Sequence, residues 1–176
     1  MDKDGKEYLP HSSWCFLCGD ENASGVKARF HVAGGAVRTR VRLPARFNGY
    51  RGVAHGGIAA ALLDESMGWA ATVFGREHPM YVTGELTIKY LAPVPLEADI
   101  EIESRLVRDA GRIAFVEGEL RSGGTVRVKA AGKFLPMGRE ESERIFSALK
   151  YDQCRKYRAF LPGDGGAAAG RDPGST

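Results

Sequence analysis

Apolar and polar residues alternate with a period of two along five stretches of this chain, a pattern typical of half-buried β-strands. The stretches cover residues 26–32, 37–43, 96–103, 114–121 and 126–134. A sixth, less regular strand is predicted for residues 80–91, followed by Pro93 and Pro95, which cannot donate ladder hydrogen bonds and mark a crossover. We therefore predict a curved antiparallel sheet of about six strands.

One long helix is predicted between the second strand and the sixth, from His55 to about Phe74. It contains no proline, and its apolar residues lie nearly all round it: Ile58, Leu62, Leu63, Met67, Trp69, Ala70, Val73 and Phe74. A helix without a polar face belongs inside a structure. The order strand, strand, helix and four strands therefore predicts α+β architecture, with the sheet wrapped around this helix.

The chain divides into four predicted segments. Residues 1–25 form an N-terminal segment with a Cys-x-x-Cys-Gly turn, and residues 26–138 form the sheet-and-helix domain. Residues 139–162 are charged and helix-like, with a thin apolar stripe. Residues 163–176 contain mostly Gly, Ala, Asp, Pro and Ser, so we expect a disordered tail.

Composition narrows the class of protein. The 176 residues are 43% hydrophobic and 27% charged, and the formal net charge is +3, too small to argue for a nucleic-acid partner. The first thirteen residues lack the apolar stretch of a signal peptide, and the run Ile58 to Leu63 is far too short to cross a membrane. We expect a cytoplasmic protein with three reduced cysteines and no membrane or nucleic-acid partner.

The candidate chemistry lies at the start of the predicted helix. Consecutive glycines, Gly56 and Gly57, follow His55, and the first amides of a helix have no partner within it. Those amides and the helix dipole can stabilise negative charge on an oxygen, although a glycine turn needed only for chain reversal has the same sequence. Further along, Asp64 is a carboxylate in an apolar helix, which is costly unless it is used or paired, for example across a dimer interface.

Three ordered motifs within residues 14–137 resemble hotdog-fold acyl-CoA thioesterases of the phenylacetate-pathway type and their thioesterase-superfamily relatives. In these proteins an acidic residue follows the His-Gly-Gly histidine by nine positions, as Asp64 follows His55. The opening Cys15-Phe16-Leu17-Cys18-Gly19, with Asn22 and Gly25, is similar to the family's CFxCGxxNxxGL. Residues 83–93 are similar to its T-x-x-L-x-I-x-Y-x-x-P strand.

The resemblance implies hydrolysis of acyl-CoA to a free acid and coenzyme A. Asp64 would be the general base or nucleophile, and the Gly57 N–H would donate to the thioester oxygen. His55 would shape the turn, and Thr83 would position the attacking water or the acid. Thr83 shares a face with the other inward residues of its strand only if Gly84 interrupts the alternation.

The same resemblance implies four substrate-binding residues, Gly56, Lys89, Arg112 and Asn48. Arg112 follows a hairpin glycine, where the family's basic residue contacts the coenzyme A moiety. Asn48 stands one residue further from His55 than the asparagine of those relatives that have one. No cofactor is implied, because coenzyme A is part of the substrate.

The Cys15-x-x-Cys18 pair also invites a zinc or redox interpretation. A structural zinc needs four ligands and usually a second matching pair, and the sequence offers only His11, His31 and Cys154. We therefore predict packed thiols and no metal.

Arg38, Arg40 and Arg42 form a basic stripe that RNA could bind. The strand order implied by the resemblance places the stripe beside Asp99, Glu101 and Glu103, so we predict cross-strand ion pairs instead.

The resemblance further implies a homodimer or homotetramer, with Asp64 acting beside Gly57 of the other chain. Three alternatives remain: an acyl-CoA sensor or binding module on the same fold, a hydratase-type hotdog enzyme, and an interaction protein with a metal-bound N-terminus.

Overall fold

The computed structural model describes residues 6–76, 80–154 and 157. Its strands are β1 His31–Ala33, β2 Ala36–Arg42, β3 Asn48–Tyr50, β4 Val53–Ala54, β5 Tyr81–Tyr90, β6 Asp99–Asp109, β7 Ala114–Ser122 and β8 Thr125–Pro136. Its helices are α1 Gly56–Phe74 and α2 Arg139–Ser147, and a 3₁₀ turn covers Ala45–Phe47.

Six strands form one antiparallel sheet in the order β1-β2-β6-β7-β8-β5, and β3 pairs with β4 in a separate ribbon. Helix α1 packs against β2, β5, β6, β7 and β8, and its Leu62, Leu63 and Met67 are fully buried. This arrangement confirms the predicted α+β architecture. The period of two placed β2, β6, β7 and β8 because buried and more exposed residues alternate along them.

Cross-strand ion pairs explain the arginine stripe. In the β2–β6 ladder, Arg38 lies opposite Glu103 and the two side chains are 2.5 Å apart. Arg40 pairs diagonally with Asp99 at 2.6 Å, and Arg42 pairs with Glu97 at 3.5 Å. The predicted pairing is confirmed, with each of the last two arginines displaced to a diagonal partner.

The first predicted strand, residues 26–32, is wrong over most of its length. In this region only His31–Ala33 pair in the sheet, and Lys27 has a left-handed φ of 65°. The backbone on either side instead bonds the N-terminal turn, with Val26 N–H donating to Phe16 O at 2.9 Å and Ala28 N–H to Leu17 O at 2.8 Å. The apolar residues of this stretch are buried alternately although the stretch is not a paired strand. The alternation in the sequence therefore could not distinguish a sheet strand from a segment that bonds the N-terminal turn.

The helical extension predicted for residues 139–162 is shorter than expected. Helix α2 ends at Ser147, and Lys150 exchanges backbone hydrogen bonds with His11 at 2.8 and 3.1 Å. This bridge requires an extended backbone that a continuing helix would not provide. The tail predicted for residues 163–176 lies outside the described residues.

None of the helices that the described ranges contain is long and apolar enough to cross a membrane.

Candidate active site

The turn that leads into α1 is built around His55. The His55 N–H donates to Phe47 O at 2.9 Å, and the turn passes so close to β3 that a Cβ on Gly49 would lie 2.9 Å from His55 Cα. His55 is the N-cap of α1, and its Nδ1 accepts from the Gly57 N–H at 3.0 Å. An accepting Nδ1 carries a lone pair, so the ring proton of neutral His55 is on Nε2.

The two glycine amides at this helix start are therefore not equivalent. The Gly57 N–H, which the resemblance implies as the oxyanion donor, already donates to His55 Nδ1. The Gly56 N–H has no acceptor among the described residues. A substrate oxygen at this helix start can therefore accept from the Gly56 N–H directly. It can accept from the Gly57 N–H only after it displaces His55 Nδ1.

Tyr90 closes one side of the same turn. Its hydroxyl donates to Gly56 O at 3.0 Å, and a Cβ on Gly56 would lie 3.4 Å from the Tyr90 ring. Sequence reasoning did not assign Tyr90 a role, although it is the tyrosine of the family-like strand motif. The ring is 55% exposed, so it lies between the turn and solvent.

Asp64 is held by the strand that was predicted to reach it. The Thr83 hydroxyl donates to Asp64 Oδ1 at 2.7 Å. The β5–β8 register shifts between Thr83 and Glu85, so Gly84 forms the bulge that places Thr83 on the inward face with Leu86. Asp64 Oδ2 has no hydrogen-bond partner among the described residues, which leaves it available to water or substrate.

Strand β5 thus contacts both parts of the predicted site, Tyr90 at the helix start and Thr83 at Asp64. These parts remain apart within one chain. Asp64 follows Gly57 by seven residues, which is about 10.5 Å along a helix axis.

A groove of about 660 Å³ opens beside the helix start, within the size range of small-molecule sites. It is lined by residues of three segments, among them Tyr50, His55, Gly56, Ala59, Tyr90 and Pro93. A larger depression of about 840 Å³ lies on the β2–β6–β7 part of the sheet, among the ion-paired arginines and glutamates. We assign the smaller groove to the site because it contains the open Gly56 amide.

The remaining predicted residues lie around this centre. Asn48 is exposed in β3, opposite Ala54, and Lys89 is exposed in β5, opposite Lys129. Arg112 is exposed in the β6–β7 turn. Asp109, the last residue of β6, accepts from the Arg76 N–H at 2.8 Å, so the turn that follows it lies at the far end of α1 from Gly57. Arg112 has no ion-pair or hydrogen-bond partner in the described part of the chain.

Comparison with known proteins gives a consistent family. The sequence model of the thioesterase superfamily matches residues 51–129 of this chain. A provisionally named esterase of Pseudomonas aeruginosa is 30% identical over 95 residues, which cover 53% of this chain and 70% of that protein.

Solved structures show the same fold. A thioesterase superfamily protein superposes with a TM-score of 0.64 at 30% identity, over 69% of this chain and 60% of that one. The E. coli PaaI protein from the phenylacetic acid degradation operon gives 0.60 at 16% identity, over 68% and 86%. A provisionally named Streptococcus pneumoniae thioesterase solved with coenzyme A gives 0.55 at 23% identity, over 60% and 83%.

Proposed function

Because this chain belongs to the thioesterase superfamily, we propose that it hydrolyses acyl-CoA thioesters to a free acid and coenzyme A. The family and its hotdog fold support thioester hydrolysis in general. The coenzyme A bound by the Streptococcus pneumoniae neighbour supports a coenzyme A ester as substrate here. The cytoplasmic location remains a prediction.

One observation carries the catalytic assignment: the 2.7 Å hydrogen bond from Thr83 to Asp64 Oδ1. A charge-assisted bond of this kind fixes the carboxylate. Oδ2 then takes a proton from water; alternatively it attacks the thioester carbon itself, the carbon–sulfur bond breaks, and water hydrolyses the resulting mixed anhydride to the free acid. Water attack forms a carbon–oxygen bond and moves the carbonyl electron pair onto oxygen; collapse breaks the carbon–sulfur bond and releases the coenzyme as a thiolate, which takes up a proton.

The negative oxygen of this intermediate needs donors, and the start of α1 supplies them. The open Gly56 amide and the positive end of the helix dipole are available at once. The Gly57 amide becomes available when the substrate oxygen displaces His55 Nδ1. His55 would then act as a placeholder that satisfies this amide while the site is empty.

A second copy of the chain is needed to complete the site. Thioester carbon, oxygen and attacking water lie within a few ångströms of one another, whereas Gly57 and Asp64 are separated by about 10.5 Å along one helix. Strand β5 is a sheet edge, and Val82 and Leu135 beside Thr83 are 45% and 41% exposed. We therefore place Asp64 of one chain beside the helix start of another, in a homodimer or a larger homo-oligomer.

The coenzyme A phosphates would be held by cations away from the reacting carbon. Arg112 and Lys89 are exposed and lack ion-pair partners among the described residues, so binding phosphate breaks no existing pair. Asn48 borders the helix-start turn and would contact the acyl or pantetheine part.

The activity is tested by measuring thiol release from a panel of short, long and aromatic acyl-CoAs, with enzyme-only and substrate-only blanks. Hydrolysis of at least one member that Asp64→Asn abolishes supports the proposal. Saturable binding of acyl-CoA without hydrolysis of any member would assign the chain to the sensor or binding class instead.

The shared site is tested by subunit mixing. Asp64→Asn removes the carboxylate, and Gly57→Pro removes the N–H of Gly57. Each variant alone should be inactive, and refolding the two together should restore activity, because a mixed dimer contains one site with both groups native. Activity that stays absent in verified mixed dimers contradicts a site shared between chains.

A further inference from the structure

Two cysteines of the N-terminal turn meet an acid of the central helix. Cys15 Sγ, Cys18 Sγ and a Glu65 carboxylate oxygen all lie within 4.8 Å of one another. The Cys15 thiol donates to Glu65 Oε2 at 3.3 Å. Fifty residues of chain separate Cys15 from Glu65, so only the fold brings these groups together.

The surroundings of Glu65 do not balance its charge. Burial raises the pKa of the Glu65 carboxyl, and the neighbouring groups that act on it most strongly are the two thiols and the Trp69 indole, none of which is positive. Cys18 is 4% exposed, and both its hydrogen bond with Cys15 and its burial raise its pKa. Three acidic groups, with Cys18 buried and Cys15 and Glu65 half-buried, thus meet at a point where none of the described groups that act most strongly on Glu65 is basic.

The turn itself is shaped to present sulfur. The Leu17 N–H donates to Cys15 Sγ at 3.3 Å, a contact that favours the thiolate. Gly19 follows Cys18, and a Cβ there would lie 2.5 Å from Cys15 O, so the turn closes only with glycine at this position. Both features are expected of a loop that holds two thiolates toward one point.

We propose that Cys15, Cys18 and Glu65 bind a zinc ion. Two thiolates and a carboxylate suit Zn²⁺, whose ligand atoms lie about 3.8 Å apart at tetrahedral positions, so the cluster needs only a small contraction. Metal binding releases the protons that remain on these groups, and the ion supplies the missing positive charge. A water completes the tetrahedron.

This site differs from the proposed catalytic centre and does not depend on it. Glu65 lies about 100° around α1 from Asp64, so the two carboxylates face different neighbours. The zinc would fasten the N-terminal turn to α1 one residue from Asp64. Its expected effect is to stabilise the fold and to fix this turn of the helix.

The test measures zinc by mass spectrometry of wild-type protein purified from zinc-supplemented medium, then titrates metal-free protein with Co²⁺. We expect about one zinc per chain and a sulfur-to-cobalt charge-transfer band. Cys15→Ser and Cys18→Ser should each lose the band, and Glu65→Gln should weaken binding by at least about tenfold. Cys154→Ser, whose thiol lies outside the cluster, should bind as wild type does.

Wild-type protein alone also gives an answer if a variant does not fold. Zinc should protect Cys15 and Cys18 from alkylation, and a chelator should restore their reactivity, as read by peptide mapping. Metal-free wild-type protein that takes up neither ion overturns the proposal. So does stoichiometric zinc in both folded serine variants, or a Cys15–Cys18 disulfide that forms in air while zinc is present.

Discussion

The Thr83 hydroxyl donates a 2.7 Å hydrogen bond to Asp64 Oδ1, which joins the edge strand β5 to the middle of α1. The contact exists because Gly84 bulges the strand and turns Thr83 inward. A carboxylate on a helix would otherwise rotate among several conformers. The bond selects one of them and leaves Oδ2 directed away from Thr83.

Replacing Asp64 with asparagine should reduce kcat for acyl-CoA hydrolysis by roughly 10²–10⁴, the usual contribution of a catalytic base or nucleophile. The substitution keeps the shape and the acceptor for Thr83 while it removes the charge. Acyl-CoA binding should survive, because the proposed coenzyme contacts lie elsewhere. Steady-state kinetics together with calorimetric binding separates the two effects.

The neighbouring Glu65 is not a neutral control for this experiment, because it contacts Cys15. Glu117→Gln is a better one, since Glu117 is exposed on β7 and does not line the groove beside the helix start. If Asp64→Asn hydrolyses acyl-CoA at the wild-type rate, the proposed mechanism is wrong. Loss of folding in that variant alone would point to Asp64 as an interface acid.

Thr83→Val should lower kcat by about tenfold or more. A hydrogen bond to a charged group contributes about 1.5–3 kcal/mol, and valine has the shape of threonine without the donor. Thr83→Ser should recover most of the rate, because it restores the hydroxyl. If the valine variant turns over as fast as wild type, the hydrogen bond does not set the rate.

The sequence predicted those structural features that depend on residues close together along the chain. The period of two found β2, β6, β7 and β8, and the apolar run found α1 within one residue of its start. The bulge at Gly84 depends on how β5 pairs with β8, and the contact of Glu65 with Cys15 depends on how the N-terminal turn packs. Both are properties of the assembled fold, and the sequence could name Gly84 only as a condition for Thr83 to face inward.

His55→Ala should lower the free energy of unfolding by about 1 kcal/mol, because it removes the side chain that caps α1. The effect of His55→Ala on kcat is a separate matter, because the substitution frees the Gly57 amide but also removes the side chain that orders the turn. His55→Asn can cap the same amide through its side-chain oxygen, so its stability should lie closer to wild type. Urea titrations of all three proteins give the comparison, and equal stability of His55→Ala and wild type would show that the cap contributes nothing.

His11 should make stability depend on pH. Burial and the Arg29 charge lower the pKa of His11 below its ordinary 6.5, more than Asp152 and Asp20 raise it. The unfolded chain therefore binds a proton before the folded one does. The contribution of neutral His11 to the free energy of unfolding is fully present above about pH 6.5 and is lost as the pH falls toward the folded-state pKa.

His11→Gln isolates this effect from other titrating groups. The difference in unfolding free energy between wild type and variant should grow as the pH rises from 5 and level off near 7. Asp152, which His11 Nε2 contacts at 3.1 Å, has a lowered pKa and titrates below this window. A difference that shrinks as the pH rises would mean that His11 is charged in the folded protein.

Arg112→Ala should raise KM for acyl-CoA much more than KM for a truncated thioester such as an acyl-N-acetylcysteamine. The truncated substrate lacks the nucleotide phosphates that Arg112 would bind, and the exposed guanidinium has no other partner among the described residues to explain a loss. Arg121→Ala is the matched control, because Arg121 pairs with Glu119 at the opposite end of β7. Arg112→Lys should recover part of the affinity through its charge, without the two parallel hydrogen bonds that a guanidinium makes to phosphate. Equal changes in KM for both substrates would place Arg112 outside the phosphate site, and Lys89 would then be the next residue to test by the same pair of substrates.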